Sequence, residues 1–152
     1  MNDLAPNAAL ELLTFRVADQ EYSLDIMSVR EIRGWTRTTP MPHAPDYMRG
    51  VINLRGTVLP VMDLARRLNL PSRETTDRNV IIVVVINNTL TGLLVDAVSD
   101  IVAMTDDDLQ PPPELSSDPH MAVVRALTVI DDRMIRVLDL AAVVPDTSEE
   151  AA

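Results

Sequence analysis

Leu59-Pro60-Val61-Met62-Asp63-Leu64-Ala65 and Ile135-Arg136-Val137-Leu138-Asp139-Leu140-Ala141 are one pattern written twice, 76 residues apart. Each is a short β-branched and leucine-rich strand running into an aspartate that can cap a helix. Asp63 heads a predicted helix over Leu64 to Asn69, stopped by Pro71. Asp139 heads a second over Leu140 to Val144, stopped by Pro145. The same offset of 76 pairs Arg49-Gly50-Val51 with Arg125-Ala126-Leu127. An offset of 69 pairs Val29-Arg30-Glu31-Ile32 with Val98-Ser99-Asp100-Ile101, Leu24 with Leu93, and the turn Asp19-Gln20 with Asn88-Thr89. The slip between offsets puts seven extra residues in the second copy, expected near Asp106 to His120. Ordered matches of this kind are the mark of an internal repeat.

Outward from this repeat, the chain reads as strand pairs split by two turn-prone residues. Leu12 to Val17 and Tyr22 to Ile26 flank Asp19-Gln20, and Val51 to Leu54 and Thr57 to Val61 flank Arg55-Gly56. Val80 to Ile86 and Thr89 to Val95 flank Asn87-Asn88, and Leu127 to Ile130 and Met134 to Leu138 flank Asp131-Asp132. Two copies of a five-stranded unit are therefore expected, one over about 11–75 and one over about 79–145. A unit of ~60 residues has a marginal core alone, so two copies are expected to share one and to leave a groove between them. Residues 1–10 and 146–152 are small, polar or acidic and are expected to fray.

Composition excludes several function classes. The 152 residues contain no cysteine, which removes disulfides, thiolate catalysis and cysteine metal sites. The longest apolar run is the seven residues Val80 to Ile86, far short of the ~18 a membrane span needs. Residues 1–10 have no secretory pattern, so a cytoplasmic location is expected. The net charge is −10, and all 13 basic residues are arginine. Residues 1–78 are neutral overall, while residues 79–152 hold three arginines against 13 acids. That charge repels phosphate backbones, and the only aromatics are Phe15, Tyr22, Trp35 and Tyr47. Nucleic-acid binding is not expected.

Catalytic groups are sparse. His43 sits in a proline-rich loop and His120 follows Pro119, and neither has the helical i, i+4 partner of a zinc pair. No serine lies in a Gly-x-Ser-x-Gly elbow. Asp106-Asp107-Asp108 lacks the alternation and distal glutamate of a calcium loop and reads as a solvated acidic turn. The eight methionines form no helical stripe and read as core filler. No cofactor, no metal and no enzymatic activity are expected. Arg55 stands apart, in an apolar hairpin beside Gly56. It is either an exposed turn arginine or a cation held for a carboxylate or backbone carbonyl, with Glu31 a candidate partner. A small ligand-binding β-barrel is the alternative, and it would need a polar pocket with perturbed titratable groups.

Met48-Arg49-Gly50-Val51-Ile52-Asn53-Leu54-Arg55-Gly56, with Leu59 to Leu64, resembles the signature of CheW-type chemotaxis coupling proteins. Glu21 to Ile26 with Val29 to Ile32, Pro42 to Tyr47, Leu93 to Asp96 with Val98, and Arg136 to Leu140 are similar to that family in order and spacing. The resemblance covers about residues 11–145. It implies an all-β fold of two intertwined five-stranded barrels, Src-homology-3-like, sharing a core, with a short helix after the last strand of each. The expected units are 11–75, with a helix at 139–145 packed on it, and 79–138.

The implied function is a scaffold, without catalysis, that couples chemoreceptors to the histidine kinase CheA. It would be monomeric in isolation, recruited to receptor arrays, and bound neither to nucleic acid nor into membrane. The same scaffold could instead serve a pilus, gliding or developmental array. Receptor contact is implied at Val29, Glu31 and Arg55, and kinase contact at apolar barrel ends. The matching motif positions are Gly50, Asn53, Leu54, Gly56, Pro60, Asp63, Asp96 and Asp139. The chain departs from the family where Ala126 replaces a usual glycine, and where Met121 to Val124 lack an aromatic. An altered second barrel is the expected consequence.

Overall fold

Four tight turns set the architecture. In each, both central residues have positive φ: Ala18 (50°) and Asp19 (67°), Arg55 (51°) and Gly56 (88°), Asn87 (52°) and Asn88 (63°), Asp131 (51°) and Asp132 (65°). Turns with this backbone match the right-handed twist of the strands they join. Asn, Asp and Gly tolerate the left-handed region, whereas Ala and Arg do so at a cost of about 1–3 kcal/mol. The first turn is Ala18-Asp19, one residue earlier than the sequence suggested, and Gln20 already belongs to a strand. A remote residue holds it there. Asp96 Oδ2 accepts from the Ala18 N–H (2.9 Å), and the Asp96 N–H donates to the Arg16 carbonyl (3.0 Å).

The computed structural model describes residues 10–71, 75–111 and 123–144. The described strands are β1 (Leu10–Val17), β2 (Gln20–Asp25), β3 (Val29–Gly34), β4 (Met48–Leu54), β5 (Thr57–Asp63), β6 (Val80–Ile86), β7 (Thr89–Val95), β8 (Ala97–Met104), β9 (Val124–Ile130) and β10 (Arg133–Leu138). One-turn helices α1 (Leu64–Arg67) and α2 (Leu140–Val143) follow β5 and β10. Both start as expected. Asp63 accepts from the Arg66 N–H (3.3 Å) and Asp139 from the Ala141 N–H (3.1 Å).

The strands form two five-stranded sheets, ordered β8-β1-β2-β10-β9 and β3-β6-β7-β5-β4. Matching each strand of the first copy with its counterpart five strands later turns one order into the other, so the sheets are related as the sequence copies are. The pairings reproduce both offsets. Leu13 faces Ile101 while Ile82 faces Ile32, each 69 residues along. In the parallel pairs, Ser23 faces Val137 and Gly92 faces Val61, combining offsets of 69 and 76.

The copies are interleaved rather than side by side. Strands β1 and β2 lie with β8 to β10, whereas β3 to β5 lie with β6 and β7. Each copy gives its third strand to the edge of the sheet begun by the other. The boundary near residues 75–79 therefore separates sequence repeats, not sheets.

This exchange produces one large shared core and two smaller ones. The shared cluster includes Phe15, Tyr22, Leu24, Ile82 and Leu93, and takes in Leu64 and Val143 from the two helices. Phe15 and Tyr22 stack with ring centroids 6.3 Å apart. Ile52, Leu59, Val61, Ile81 and Val83 fill the second sheet, and Leu12, Ala126 and Val137 the first.

Candidate functional site

Glu31 and Arg55 come from distant parts of the second sheet. Glu31 is on edge strand β3, opposite Val83, and Arg55 is the first residue of the β4–β5 turn. Asn53 fixes that turn by accepting from the Gly56 N–H (2.8 Å). The Arg55 guanidinium donates from Nη2 to Glu31 Oε1 at 2.5 Å. This bridge joins β3, on one edge of the sheet, to the hairpin holding the opposite edge, β4. Arg33 Nη1 lies 3.7 Å from the other carboxylate oxygen. Two cations thus face one anion.

The Arg55 hydrogen bond lowers the Glu31 pKa; partial desolvation opposes this, and the charges of Arg55 and Arg33 add to it. The Arg55 pKa is raised by the same bond and by the Glu31 charge. Both groups reach solvent, with the Arg55 side chain 71% exposed.

Val29 lies on the same strand but differs in character. It faces Val84 and packs against the shared core while keeping part of its surface exposed. The chain reaches it through a 3-10 turn (Ile26–Ser28), where Asp25 accepts from the Met27 N–H (2.9 Å). A bulge between Val29 and Glu31 splits the strand's faces: Val29 and Ile32 lie opposite Val84 and Ile82, while Glu31 and Arg33 lie opposite Val83 and Ile81 on the other face.

The motif residues support this arrangement. A Cβ on Gly50, whose φ is +137°, would lie 2.2 Å from the Thr39 carbonyl oxygen. The contact is that close because Thr39 and Val51 exchange backbone hydrogen bonds of 2.9 Å each. Leu54 is buried in the second sheet, and Pro60 faces Val51. Asp63 is buried beside Arg49 (3.8 Å) and Arg66 (3.9 Å) while capping α1. Its N–H donates to the Tyr47 carbonyl, as the Asp139 N–H donates to Val123, both at 2.7 Å.

Sequence reasoning missed three features. Arg67, at the end of α1, donates from Nε to the Val143 carbonyl (2.7 Å) and from Nη2 to that of Ala142 (2.9 Å). Its guanidinium also lies over the Tyr47 ring, 5.5 Å from the centroid. Next to this contact, Met41, His43, Tyr47, Met62 and Val144 help line an apolar cavity of about 440 Å³. His43 thus lines this cavity from its loop, and His120 lies outside the described residues. The third feature is apolar exposure at the hairpins. Met134 and Val129 face each other across β9 and β10, 53% and 57% exposed, and Val58 is 67% exposed at the matching place in β5.

Among the described residues, no group of three His, Cys, Asp or Glu side chains could hold a metal ion. No described helix is long and apolar enough to cross a membrane.

Comparison with known proteins fits this geometry. Residues 11–148 match the family model for the CheW-like domain. The chain is 54% identical over 142 residues to a probable chemotaxis protein CheW of Rhizobium etli, covering 93% of this chain and 92% of that protein. It is 51% identical over 146 residues to the chemotaxis protein CheW of Rhizobium meliloti, covering 96% and 94%. The solved structure of the scaffolding protein TtCheW from Thermoanaerobacter tengcongensis aligns with a TM-score of 0.79 at 33% identity, covering 85% of this chain and 88% of that one.

Proposed function

The chain belongs to the CheW-like domain family, and from that membership we propose that it is a scaffold without catalytic activity, coupling chemoreceptors to the histidine kinase CheA in bacterial chemotaxis. The observation that carries this reading is the match over residues 11–148. The family assigns the protein to signalling, and the site then limits how it can work. Its functional groups are a rigid ion pair and exposed apolar hairpins, suited to holding partners.

On this reading the receptor tip docks at Val29, Glu31 and Arg55. Edge strand β3 and the β4–β5 turn supply these residues, and the Glu31–Arg55 bridge fixes one against the other. The regulatory domain of the kinase docks on exposed apolar hairpin ends, for which Val58 and the Met134–Val129 pair are the candidates. A specific interface buries ~800 Å² per partner, which fits one face of a protein of this size. With both partners bound, a change in receptor packing need shift the coupling energy by only ~1–3 kcal/mol to switch the kinase. The protein stays in the cytoplasm and reaches the membrane through the receptors it binds.

The test is Arg55→Glu, with receptor and kinase pull-down measured separately. Receptor capture is expected to fall while kinase capture persists. Unchanged receptor binding would remove Arg55 from the receptor face.

A further inference from the structure

The two sheets carry the same row of residues with different bulk. In the first sheet the row crosses β1, β2, β10 and β9 as Phe15, Tyr22, Arg136 and Leu127, each facing the next. The repeat offsets of 69 and 76 convert these four into Val84, Thr91, Pro60 and Val51. The second sheet holds them in the same order. Val84 faces Thr91, Pro60 faces Val51, and Thr91 and Pro60 directly precede the facing pair Gly92 and Val61. Each row is therefore an internal control for the other.

Rings fill the first row. Phe15 and Tyr22 are fully buried and stack with centroids 6.3 Å apart. The Arg136 guanidinium lies over the Tyr22 ring, 5.6 Å from its centroid. The second row has neither ring nor cation, and there the cavity of about 440 Å³ opens, with Val51, Pro60 and Thr91 among its walls. Where one copy seats a tyrosine ring, the other has an opening.

The walls are held in place by the fold itself. Thr91 and Met62 are buried. Tyr47 and Val144 are fixed by one residue, Arg67, which lies over the Tyr47 ring and bonds the carbonyls of Val143 and Ala142. Met41, Met48 and Met62 add thioethers, which pack well against aromatic rings. Neither an acidic residue nor an arginine is among the cavity's lining residues.

From this comparison of the two rows we propose that the cavity binds a small, uncharged aromatic molecule of one or two rings. The guest takes the place beside Thr91 and Pro60 that Tyr22 fills in the other copy. A preformed, mostly apolar cavity within the range of ~300–1,000 Å³ suits a free small molecule. The site is separate from the receptor and kinase contacts and does not depend on them.

The experiment titrates the full chain, with isotope-labelled methionine methyl groups, against phenol, indole and cyclohexanol. Phenol and indole are expected to shift the resonances of Met41, Met48 and Met62 saturably. Met27, Met104 and Met134, none of which lines the cavity, should stay in place. Cyclohexanol has a similar size but no π face, and should bind about threefold more weakly or worse. Thr91→Tyr supplies the ring of the other copy and should cut phenol binding about tenfold or more by filling the site. A buried substitution can unfold the chain, so Val144→Phe, at a half-buried wall position, is measured alongside and should also weaken binding.

No saturable shift with phenol or indole overturns the proposal, as does a shift shared equally by all the methionines. Equal affinity for cyclohexanol overturns the aromatic preference. If Thr91→Tyr or Val144→Phe folds and binds phenol like the wild type, the guest sits elsewhere and the site falls. N-acetyltyrosinamide carries the ring on a peptide backbone. If it binds much more tightly than phenol, the cavity belongs to a side chain of a partner protein, and the small-molecule proposal falls.

Discussion

Gly50 and Ala126 hold the same place in the two sequence copies, each opposite the matching valine, Val61 or Val137. Only Gly50 has positive φ, at +137°, and only it lies against a carbonyl that excludes a side chain. Ala126 is buried in the first sheet without that backbone demand. The two matching positions thus carry different constraints.

Gly50→Ala should therefore destabilise the fold by about 2 kcal/mol or more, since it combines backbone strain with a steric clash. Ala126→Gly should cost only about 0.5–1 kcal/mol, the usual penalty of glycine in a strand. Urea unfolding of the two variants checks the contrast, and equal losses would refute it.

Arg67 is expected to tie the C-terminal helix to the first copy. Arg67→Ala removes two hydrogen bonds to backbone carbonyls, worth about 1.5–3 kcal/mol where a charged donor is involved. Hydrogen exchange should quicken in 140–144 and in the cavity loop containing His43 and Tyr47. Exchange in β9 should be unchanged. A uniform rise across the chain would mean that Arg67 acts only through global stability.

The Glu31–Arg55 bridge should leave a signature in the titration of its carboxyl. The folded carboxyl titrates below its ordinary value of 4.5, so the folded state stays ionised where the unfolded chain takes up a proton. Its contribution is complete above 4.5 and disappears as pH falls through the folded value. The carboxyl resonance of Glu31 should thus show a lowered midpoint in the wild type and move toward 4.5 in Arg55→Gln. Identical midpoints would contradict the geometry.

Exposed hairpin residues should matter for binding and hardly for folding. Met134→Asp and Val58→Asp each replace an exposed side chain, with an expected stability change within ~0.5 kcal/mol. Each is measured for binding to the kinase regulatory domain and, in parallel, to receptors. Selective loss of kinase binding at either hairpin marks it as a kinase face. Full retention at both would move that face elsewhere.

The hairpins and helix starts were legible because their chemistry is local. Asn87-Asn88 and Asp131-Asp132 accept the left-handed region by themselves, and Asp63 and Asp139 cap the helices beside them. The first turn was misplaced because alanine does not advertise positive φ, and Asp96 acts on it across 78 residues of chain. The repeat offsets survived in the strand register, but the exchange of β3 to β5 for β8 to β10 between sheets left no mark in either copy. A strand's own pattern says which face is buried, not which neighbour it pairs with. Glu31 and Arg55 were paired in the sequence reading and meet in the structure. Arg67 was invisible, since its partners are backbone carbonyls that any residues could supply.

The central claim is that one chain holds receptor and kinase at once, on separate faces. Its most direct measurement is sedimentation with receptor-bearing membranes in the presence of rising amounts of the CheA regulatory domain. The expected result is a complex in which the regulatory domain joins the pellet without displacing this protein. Displacement of the chain from the membranes as the kinase domain rises, or a pellet that never contains the kinase domain, would contradict it.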